Sequence, residues 1–332
     1  MTPETTRVRR YYDRNTALFL RGQPETYTIH RALWAEGVKT HAEALDYANH
    51  LLIGEAQEWI ARGNCCEEQL SLREAPCLPW RSSSAVRREA RVATKQSGLR
   101  ESGACFVSRN DKARNDKFID LLDLGCGVGG TLLYLLARLK ARGVGLTLSP
   151  VQAEIARRQV IRRGLEQVCL IVTGDFTHPP LANAFDLVYS VEAFIHASAP
   201  EAYLSEAARL LRPGGRFVLC DDFKREGAGS AGDELWRRAF QKGWHALNLN
   251  TVAHVQAQAA AHGLHPVRAR DLTPYLRLRA LPDPLARLAL AAGTRIPTRH
   301  PFWPSLMGSM ALQQCYRRGV TEYGWLVFEK GE

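Results

Sequence analysis

The chain has 332 residues, of which 45% are hydrophobic and 23% charged, as is typical of a soluble globular enzyme with one large or two small domains. No apolar run reaches the roughly 18 residues of a membrane span, and residues 1–7 lack the charged-then-apolar layout of a signal peptide. The eight cysteines form no CxxC pair and no metal-ligand spacing, so we expect a reduced, cytoplasmic protein without a metal site.

The net charge of +10 raises the question of an anionic partner. Residues 62–117 hold 12 lysines and arginines against 7 aspartates and glutamates, so this one stretch supplies +5 of the +10. Such a local excess is more typical of a solvated surface than of a nucleic-acid footprint. We therefore expect no nucleic acid among the partners.

The N-terminal 61 residues are predicted to be helical in part. Apolar residues recur at spacings of three and four over 40–61, which predicts an amphipathic helix. They are Leu45, Ala48, Leu52, Ala56 and Trp59. From 62 to 117 neither a helical nor a strand period persists, and we interpret this stretch as a disordered or poorly packed insertion to which we assign no function.

From residue 118 onward, apolar strands alternate with helices. Strands are predicted at 118–124, 143–148, 169–173, 186–191, 216–220, 266–271 and 324–329. Helices are predicted at 131–140, 150–163 and 201–211, with further helices after residue 221. This alternation predicts an α/β fold whose parallel sheet is covered on both faces. Residues 273–318, rich in proline and arginine, are too long for a simple turn, and we expect a helical insertion near the C-terminus.

A glycine-rich turn, LLDLGCGVGGT, follows the first strand. Asp123 ends the strand, and Gly125, Gly127 and Gly129 precede a helix. Glycines permit a tight turn and a close approach of a ligand to the helix N-terminus. Together with Gly130, however, the turn also satisfies the GxGxxG pattern of dinucleotide-binding proteins, so it does not identify the cofactor by itself.

Three later features separate the two kinds of cofactor. The second strand ends at Thr147, where an NAD-binding protein would have an acidic residue for the ribose. Asp175 follows the third strand in TGDF, and LLRPGGRFVL (210–219) makes a turn before the fifth. As a set these features resemble the class I S-adenosylmethionine-dependent methyltransferases over roughly residues 118–220.

The resemblance implies a Rossmann-like, doubly wound sheet of seven mostly parallel strands, with 324–329 antiparallel. It also implies S-adenosyl-L-methionine as the cofactor, its amino-acid end above the glycines and its adenine beside Asp175 and Phe176. The run TLSPVQ (147–152), similar to that of the cyclopropane-fatty-acid and isoprenoid-methylating branches, adds further contacts. The predicted cofactor-binding residues are Asp123, Gly125, Gly127, Gly129, Thr147, Leu148, Gln152, Asp175, Phe176 and Ser190. Turn or helix-cap duty remains the alternative for Asp123 and Asp175.

The candidate catalytic residues lie in YSVEAFIHASAP (189–200), which is similar to the corresponding stretch of sterol C-methyltransferases. The segment YYDRNTALFLRGQPETYTIHRALW (11–34) resembles their tyrosine-led substrate segment, and tocopherol and prenyl-diphosphate methyltransferases have similar elements. The resemblance implies that Glu192 faces the reacting centre. We expect 1–61 to act as a substrate segment or lid, 118–332 to form the methyltransferase domain, and 273–318 to cover its active site.

Methyl transfer to an alkene carbon leaves a carbocation, which a carboxylate in a low-dielectric pocket and aromatic faces both stabilise. We predict that Glu192 forms this environment together with the aromatic rings of Tyr11, Tyr12, Tyr189 and Phe194. Glu192 or His196 would then remove the proton that restores the alkene. The expected acceptor is an apolar, isoprenoid-like small molecule, and a homo-oligomer is compatible with the sequence.

Other functions remain open at this point. An N- or O-methyltransferase would use Glu192 or His196 as a general base. A nucleic-acid methyltransferase is less compatible, because the fourth strand ends in SVEA and not in an Asn/Asp-Pro-Pro-aromatic motif. A non-catalytic binding protein and an NAD-dependent oxidoreductase complete the alternatives. A structural role is also an alternative for Glu192 and for His196. Asp221-Asp222 would either cap a loop or bind a polar group of the substrate or a metal–diphosphate.

Overall fold

The computed structural model describes residues 2–21, 30–62, 118–227, 229–279, 281–295 and 302–332. The insertion predicted at 62–117 therefore lies outside the described residues, except for Arg62, which follows the helix that ends at Ala61. Among the helices of the described ranges, none is long and apolar enough to cross a membrane.

The described residues contain one seven-stranded sheet, with the strand order β3-β2-β1-β4-β5-β7-β6. Strands β1 to β5 pair in parallel, whereas β7 is antiparallel to both β5 and β6. The strands are β1 Ile119–Leu124, β2 Ala141–Thr147, β3 Cys169–Thr173, β4 Phe185–Val191, β5 Leu211–Lys224, β6 Leu264–Asp271 and β7 Thr321–Lys330. The predicted doubly wound sheet with an antiparallel last strand is confirmed.

Helices precede, connect and follow these strands. They are α1 Pro3–Phe19, α2 His41–Ala61, α3 Gly130–Leu136, α4 Pro150–Arg162, α5 Pro200–Leu210, α6 Ala231–Trp244, α7 Val252–Ala261, α8 Asp283–Arg295 and α9 Phe302–Arg317. The last two occupy much of 273–318, so the helical insertion expected near the C-terminus is present.

Strand β5 is much longer than the predicted 216–220. It begins directly after α5 and runs for 14 residues, because β7 pairs with it from Arg216 to Lys224 and extends it beyond the parallel neighbour β4. Helix α3 is shorter than the predicted 131–140, since the chain turns after Leu136 to enter β2. Both differences arise from strand pairing that the local pattern does not contain.

Successive side chains of the central strand point to opposite faces of the sheet, and each face has its own core. Leu121 packs in a cluster with residues of α2, α3, α4, α6 and α9, whereas Leu122 packs in another with residues of α5 and α7. Helix α2 is fixed to the sheet by polar contacts as well. Its Glu55 forms an ion pair with the fully buried Arg216 of β5 at 2.8 Å, and the Trp59 indole donates to the Gly214 carbonyl.

Candidate active site

A cavity of about 430 Å³ opens at the carboxyl ends of β1, β2 and β4. Open parallel sheets bind ligands at this edge. Helices α1, α6 and α9 supply the remaining walls. The predicted site residues in its lining are Tyr11, Tyr12, Asp123, Gly125, Gly127, Thr147, Leu148, Gln152, Phe176, Glu192 and His196. The structure thus brings most of the predicted cofactor and catalytic residues around one space.

Three predicted cofactor residues lie behind this lining. Gly129 is the N-cap of α3 with φ 85°, where an added Cβ would lie 3.3 Å from Ala156 of α4, so it serves helix packing. The Asp175 carboxylate accepts hydrogen bonds from the backbone and hydroxyl of Thr177, the turn duty considered above. Ser190 is fully buried in β4. Their predicted contacts with a cofactor stay predictions.

One wall of the cavity, which we call the glycine wall, consists of residues 123–130 with Thr147 and Gln152. The amides of Gly125 and Cys126 both donate to the Leu146 carbonyl at 2.9 Å, which ties the turn to β2. Gly127 has φ 54°, and an added Cβ would meet only the Gln152 Nε2, at 3.9 Å. A left-handed residue without a side chain therefore leaves this side of the turn open to a ligand.

Asp123 is the ionisable group of the glycine wall. Asp123 is 3% exposed, and burial raises the pKa of its carboxyl to about 8, an effect that the neighbouring Tyr189 hydroxyl opposes. The raised pKa favours the protonated carboxyl when no ligand is bound. A cationic group placed beside it would favour the ionised form.

The rim near Gln152 is tied to the N-terminal helix. The Thr147 hydroxyl donates to Gln152 Oε1 at 3.0 Å, and the Ser149 hydroxyl donates to Asp13 of α1 at 2.5 Å. These bonds place α1, with Tyr11 and Tyr12, over the end of β2.

The opposite wall, which we call the arginine–carboxylate wall, presents Arg31 and Glu192 to the cavity. Glu192 has φ 53°, a conformation that costs energy for a residue with a side chain, and its amide donates to the Cys220 carbonyl. Its Oε1 accepts from the Arg31 amide at 2.8 Å and from the Tyr323 hydroxyl at 2.9 Å, and the Arg31 guanidinium lies 3.3 Å away.

Arg31 connects Glu192 to a buried acid and to aromatic rings. Its Nη2 donates to Asp222 Oδ2 at 2.7 Å, and the Tyr316 hydroxyl donates to the other oxygen of Asp222. The guanidinium lies 4.8 Å from the ring centre of Tyr323 and 5.2 Å from that of Trp244. The cationic side chain of Arg31 thus lies among aromatic rings in the wall of the cavity.

The surroundings of the Glu192 carboxylate differ from the expected aromatic cage. The rings of Tyr323 and Trp244 are engaged by the Arg31 guanidinium, and Tyr189 and Phe194 are buried outside the cavity lining, whereas Tyr11 and Tyr12 belong to it. The contacts of Glu192 with the described residues all fall on Oε1. Its other oxygen, Oε2, is consequently the one available to a ligand.

The sequence analysis did not identify Arg31, Tyr316, Tyr323 and Trp244. One signal was available, because Arg31 is the only charged residue in the segment YTIHRALW (27–34). An arginine in such a setting requires an acidic partner, and both Glu192 and Asp222 were already under consideration.

Tyr12 and His196 form a second polar pair. The Nδ1 of His196 donates to the His245 carbonyl at 3.1 Å, so the neutral ring accepts at Nε2 from the Tyr12 hydroxyl at 2.7 Å. Burial lowers the pKa of His196 to about 4 and raises that of Tyr12 well above its usual value. The pair can accept a proton from the cavity at the Tyr12 oxygen while Tyr12 passes its own proton to His196.

Tyr11 joins α1 to the C-terminal helices. Its hydroxyl bonds to Ser305 of α9 at 2.7 Å, and Ser305, Leu306 and Ser309 all line the cavity. Residues of both 1–61 and 273–318 therefore contribute walls. Their predicted function as a lid and a cover stays a prediction.

Asp221 and Asp222 are engaged within the protein. Asp221 accepts the amides of Ile195 and Asp222, which is the loop-capping alternative, and burial followed by the charge of Asp222 raises its pKa to about 8. Asp222 pairs with Arg31. Within the described ranges, no group of three or more histidine, cysteine or acidic side chains has the arrangement of a metal site.

Comparison with known families matches residues 122–219 to a model described as a methyltransferase domain. These residues form a methyltransferase domain. The match includes the glycine wall and the end of β4, and it resolves the ambiguity of the glycine pattern against an oxidoreductase. The family resemblance expected over 118–220 is confirmed.

The chain is similar to longer, curated methyltransferases. It is 39% identical over 201 residues to 24-methylenesterol C-methyltransferase 2 of Oryza sativa subsp. japonica, a match that covers 58% of this chain and 48% of that protein. It is 30% identical over 138 residues to the chloroplastic tocopherol O-methyltransferase of Arabidopsis thaliana, covering 41% of this chain and 38% of that protein. The matches thus span less than half the length of these relatives.

A solved structure extends the similarity to the whole fold. The mycolic acid cyclopropane synthase crystallised with SAH and CTAB has a TM-score of 0.65 and 19% identity, over 99% of each chain. At this identity the likeness shows the fold alone. The 99% coverage includes the N-terminal and C-terminal helices, which lie outside the matched residues 122–219.

Proposed function

We propose that the chain is an S-adenosylmethionine-dependent methyltransferase that methylates a carbon of an apolar, isoprenoid-like small molecule. The observation that carries the proposal is one cavity that joins the glycine wall to Glu192. The names of the similar proteins, which refer to sterols and tocopherol, support an apolar acceptor. A cytoplasmic location without a nucleic-acid partner is part of the proposal.

The residues of the glycine wall fit the cofactor. Gly127 leaves its side of the turn open, and Asp123 is a buried carboxyl that no lysine or arginine pairs with among the described residues. Such a carboxyl suits the amino group of the cofactor, while Phe176 and Gln152 offer an apolar face and an amide. When bound there, S-adenosylmethionine supplies an electrophilic methyl group on a sulfonium.

Glu192 supplies the charge that C-methylation requires. As the acceptor's double bond attacks the methyl group, a cation develops on the neighbouring acceptor carbon. Oε2 of Glu192 stabilises that cation, while Arg31 and Tyr323 hold Oε1 in place. Loss of a proton from the acceptor, to Glu192 or through Tyr12 to Nε2 of His196, restores the double bond.

The Tyr12–His196 bond favours a second candidate, O- or N-methylation of a small natural product. A hydroxyl or amine acceptor must lose a proton, and the 2.7 Å bond provides a route from the cavity to a neutral imidazole. In that reaction Glu192 would orient the acceptor or serve as the base, and no carbocation would form.

The test is methyl transfer from labelled S-adenosylmethionine to neutral isoprenoid alkenes, sterols, phenolic isoprenoids and amines. Product NMR distinguishes a new carbon–methyl bond, which we expect, from an oxygen– or nitrogen–methyl bond, which would establish the second candidate. A thermal-shift comparison of S-adenosylhomocysteine with NAD checks the cofactor separately. Stabilisation by NAD alone would contradict the proposal as a whole.

A further inference from the structure

Helix α8 presents an apolar face to solvent. Ala286 and Leu290 on its inner side are buried, whereas Leu285 and Leu288 are 54% and 67% exposed. The exposed residues recur at spacings of three and four, as on one face of a helix. We call them the leucine stripe: Leu281, Pro284, Leu285, Leu288, Ala291 and Ala292.

Basic residues lie at both ends of the leucine stripe. Lys242 of α6 is exposed and lines a surface depression together with Leu235 and Ala291. At the other end, the Arg317 guanidinium donates to the Leu281 carbonyl at 2.9 Å, and Arg279 is exposed nearby in sequence. Residues 273–318 hold seven arginines and one aspartate, which accounts for six of the net charge of +10.

The acidic residues near the stripe are already paired. Asp283 binds Arg287 and Arg318, and Glu234 binds Arg237 and Arg238. The surface around the leucines is therefore apolar at its centre and cationic at its edges. Interfacial helices that lie on anionic membranes have this combination.

We propose that the leucine stripe docks the protein on an anionic lipid surface. A second copy of the chain fits less well, because a two-fold contact would bring the cationic edges together. Nucleic acid would match the charge but leave the leucines without a partner. The proposal goes beyond the methyl-transfer reaction and does not depend on it.

The leucine stripe lies on a helix that packs against α9, and α9 borders the cavity opening. The C-terminal part of α8 packs on α9, where the Trp303 indole donates to the Gly293 carbonyl at 2.8 Å. Leu306, in the same turn of α9, lines the cavity and is 41% exposed, which places it at the opening. Docking through α8 would therefore bring the opening close to the lipid, from which an apolar compound can enter.

The experiment is co-sedimentation of the full chain with vesicles of phosphatidylcholine, with and without phosphatidylglycerol. We expect binding to the anionic vesicles that falls with salt. Leu285→Asp/Leu288→Asp should lower it by about tenfold or more, because two apolar contacts are replaced by charges that the surface repels. Lys242→Glu/Arg279→Glu should also weaken it, since each basic residue near an anionic surface contributes roughly fivefold.

The control is Ile161→Asp, which makes one substitution of the same kind at a helical, 47% exposed apolar position on α4. It should bind vesicles as the unmodified protein does. S-adenosylhomocysteine affinity, measured on the same samples, should be unchanged in every variant and shows that each is folded. Vesicle binding is read without acceptor or methyl donor, so its result is independent of the proposed reaction.

Two results would overturn the docking proposal. One is vesicle binding that the stripe variants and Ile161→Asp leave equally unaffected. The other is a dimer that the stripe variants dissociate, in a protein that does not bind vesicles. That second outcome would assign the leucine stripe to contact between copies of the chain.

Discussion

The two walls of the cavity are built in different ways. The glycine wall comes from residues 123–152, a continuous strand–turn–helix–strand–helix unit, and its shape depends on backbone conformation. The arginine–carboxylate wall joins Arg31, Glu192, Asp222 and Tyr323, which lie on four separate parts of the chain. A change in the first wall should therefore act locally, whereas a change in the second should affect partners that are distant in sequence.

The walls also differ in electrostatics. Among the residues that the structure describes, the buried carboxyl of the glycine wall has no cationic partner, whereas the charges of the other wall largely compensate one another. The first is suited to a ligand that brings its own positive charge. The second has its own cation, Arg31, and offers one carboxylate oxygen to the cavity. Variants in each wall can test this difference.

The largest effect is expected from a substitution in the glycine wall that lowers cofactor affinity. Gly127→Val should lower the affinity for S-adenosylhomocysteine by more than about 100-fold, because the side chain enters the open side of the turn and strains a left-handed residue. Gly164→Val is the control, since Gly164 has φ 64° and no heavy atom within 4 Å of an added Cβ. Calorimetry should show loss of affinity in the first variant only. Equal losses would mean that backbone strain, and not contact with the ligand, causes the effect.

The next effect concerns the arginine–carboxylate wall. Glu192→Gln keeps the size of the side chain but removes its charge, so turnover should fall by roughly 100-fold while S-adenosylhomocysteine affinity changes little. Glu322→Gln, next to Tyr323 but paired with Arg225, makes the same chemical change away from the cavity and should be nearly neutral. Near-normal turnover of Glu192→Gln on the true acceptor would refute cation stabilisation.

Arg31→Met tests whether the arginine–carboxylate wall acts as a unit. The free energy of unfolding should fall by roughly 3–5 kcal/mol, because the Asp222 side chain, 1% exposed, is left without its ionic partner. Arg31→Met/Asp222→Asn should recover part of this loss in thermal unfolding. Turnover should fall about tenfold. In the double variant Arg31→Met/Glu192→Gln, the fold-decrease in turnover should be smaller than the product of the decreases in the two single variants. Independent effects would show that Arg31 does not position Glu192.

The contrast between the walls explains what the sequence could predict. The order of strands and helices and the glycine turn depend on short-range patterns, and β3 matches its predicted bounds of 169–173. Most predicted cofactor residues line the cavity because the carboxyl ends of parallel strands share one edge of the sheet. The ends of β5 were missed, since its antiparallel partner is about 100 residues away in the chain.

The arginine–carboxylate wall could be anticipated only in part. Glu192 was identified through its position after β4, but the partners of its carboxylate come from the N-terminal segment and from β7. Pairing across such distances is set by the folded topology, not by a local period. The engagement of Asp175 with Thr177 could likewise not be distinguished in advance from a role in ligand binding.

A smaller effect is expected from pH, which should change the affinity of the glycine wall for the cofactor. Burial raises the pKa of Asp123 to about 8, so below that pH the carboxyl must lose a proton before it can pair with the cofactor's amino group. Affinity for S-adenosylhomocysteine should rise with pH by up to about tenfold per unit and level off near pH 8. Asp123→Asn should show no such rise. Without ligand, the same raised pKa predicts that stability falls as pH increases from the usual aspartate range to about 8.

The smallest effect is expected at Tyr12. Tyr12→Phe keeps the ring, which packs edge-on against His196 at 5.3 Å, but removes the hydroxyl that donates to Nε2. If Glu192 can take the proton after C-methylation, turnover should fall only severalfold. If the enzyme methylates oxygen or nitrogen through the Tyr12–His196 route, loss of that base pathway should cost roughly 100-fold or more.

Tyr11→Phe is the matched control, because it removes a hydroxyl that bonds to Ser305 and leaves His196 untouched. The pH profile of turnover at saturating cofactor gives an independent check. The pKa of His196 is lowered to about 4, so the imidazole is already neutral well below pH 7 and should add no rising limb near its usual pKa. A limb near pH 6.5 that disappears in His196→Gln would mean that the ring is solvated and already protonated before the reaction begins, in which case the Tyr12 hydroxyl cannot be donating to it in the resting enzyme.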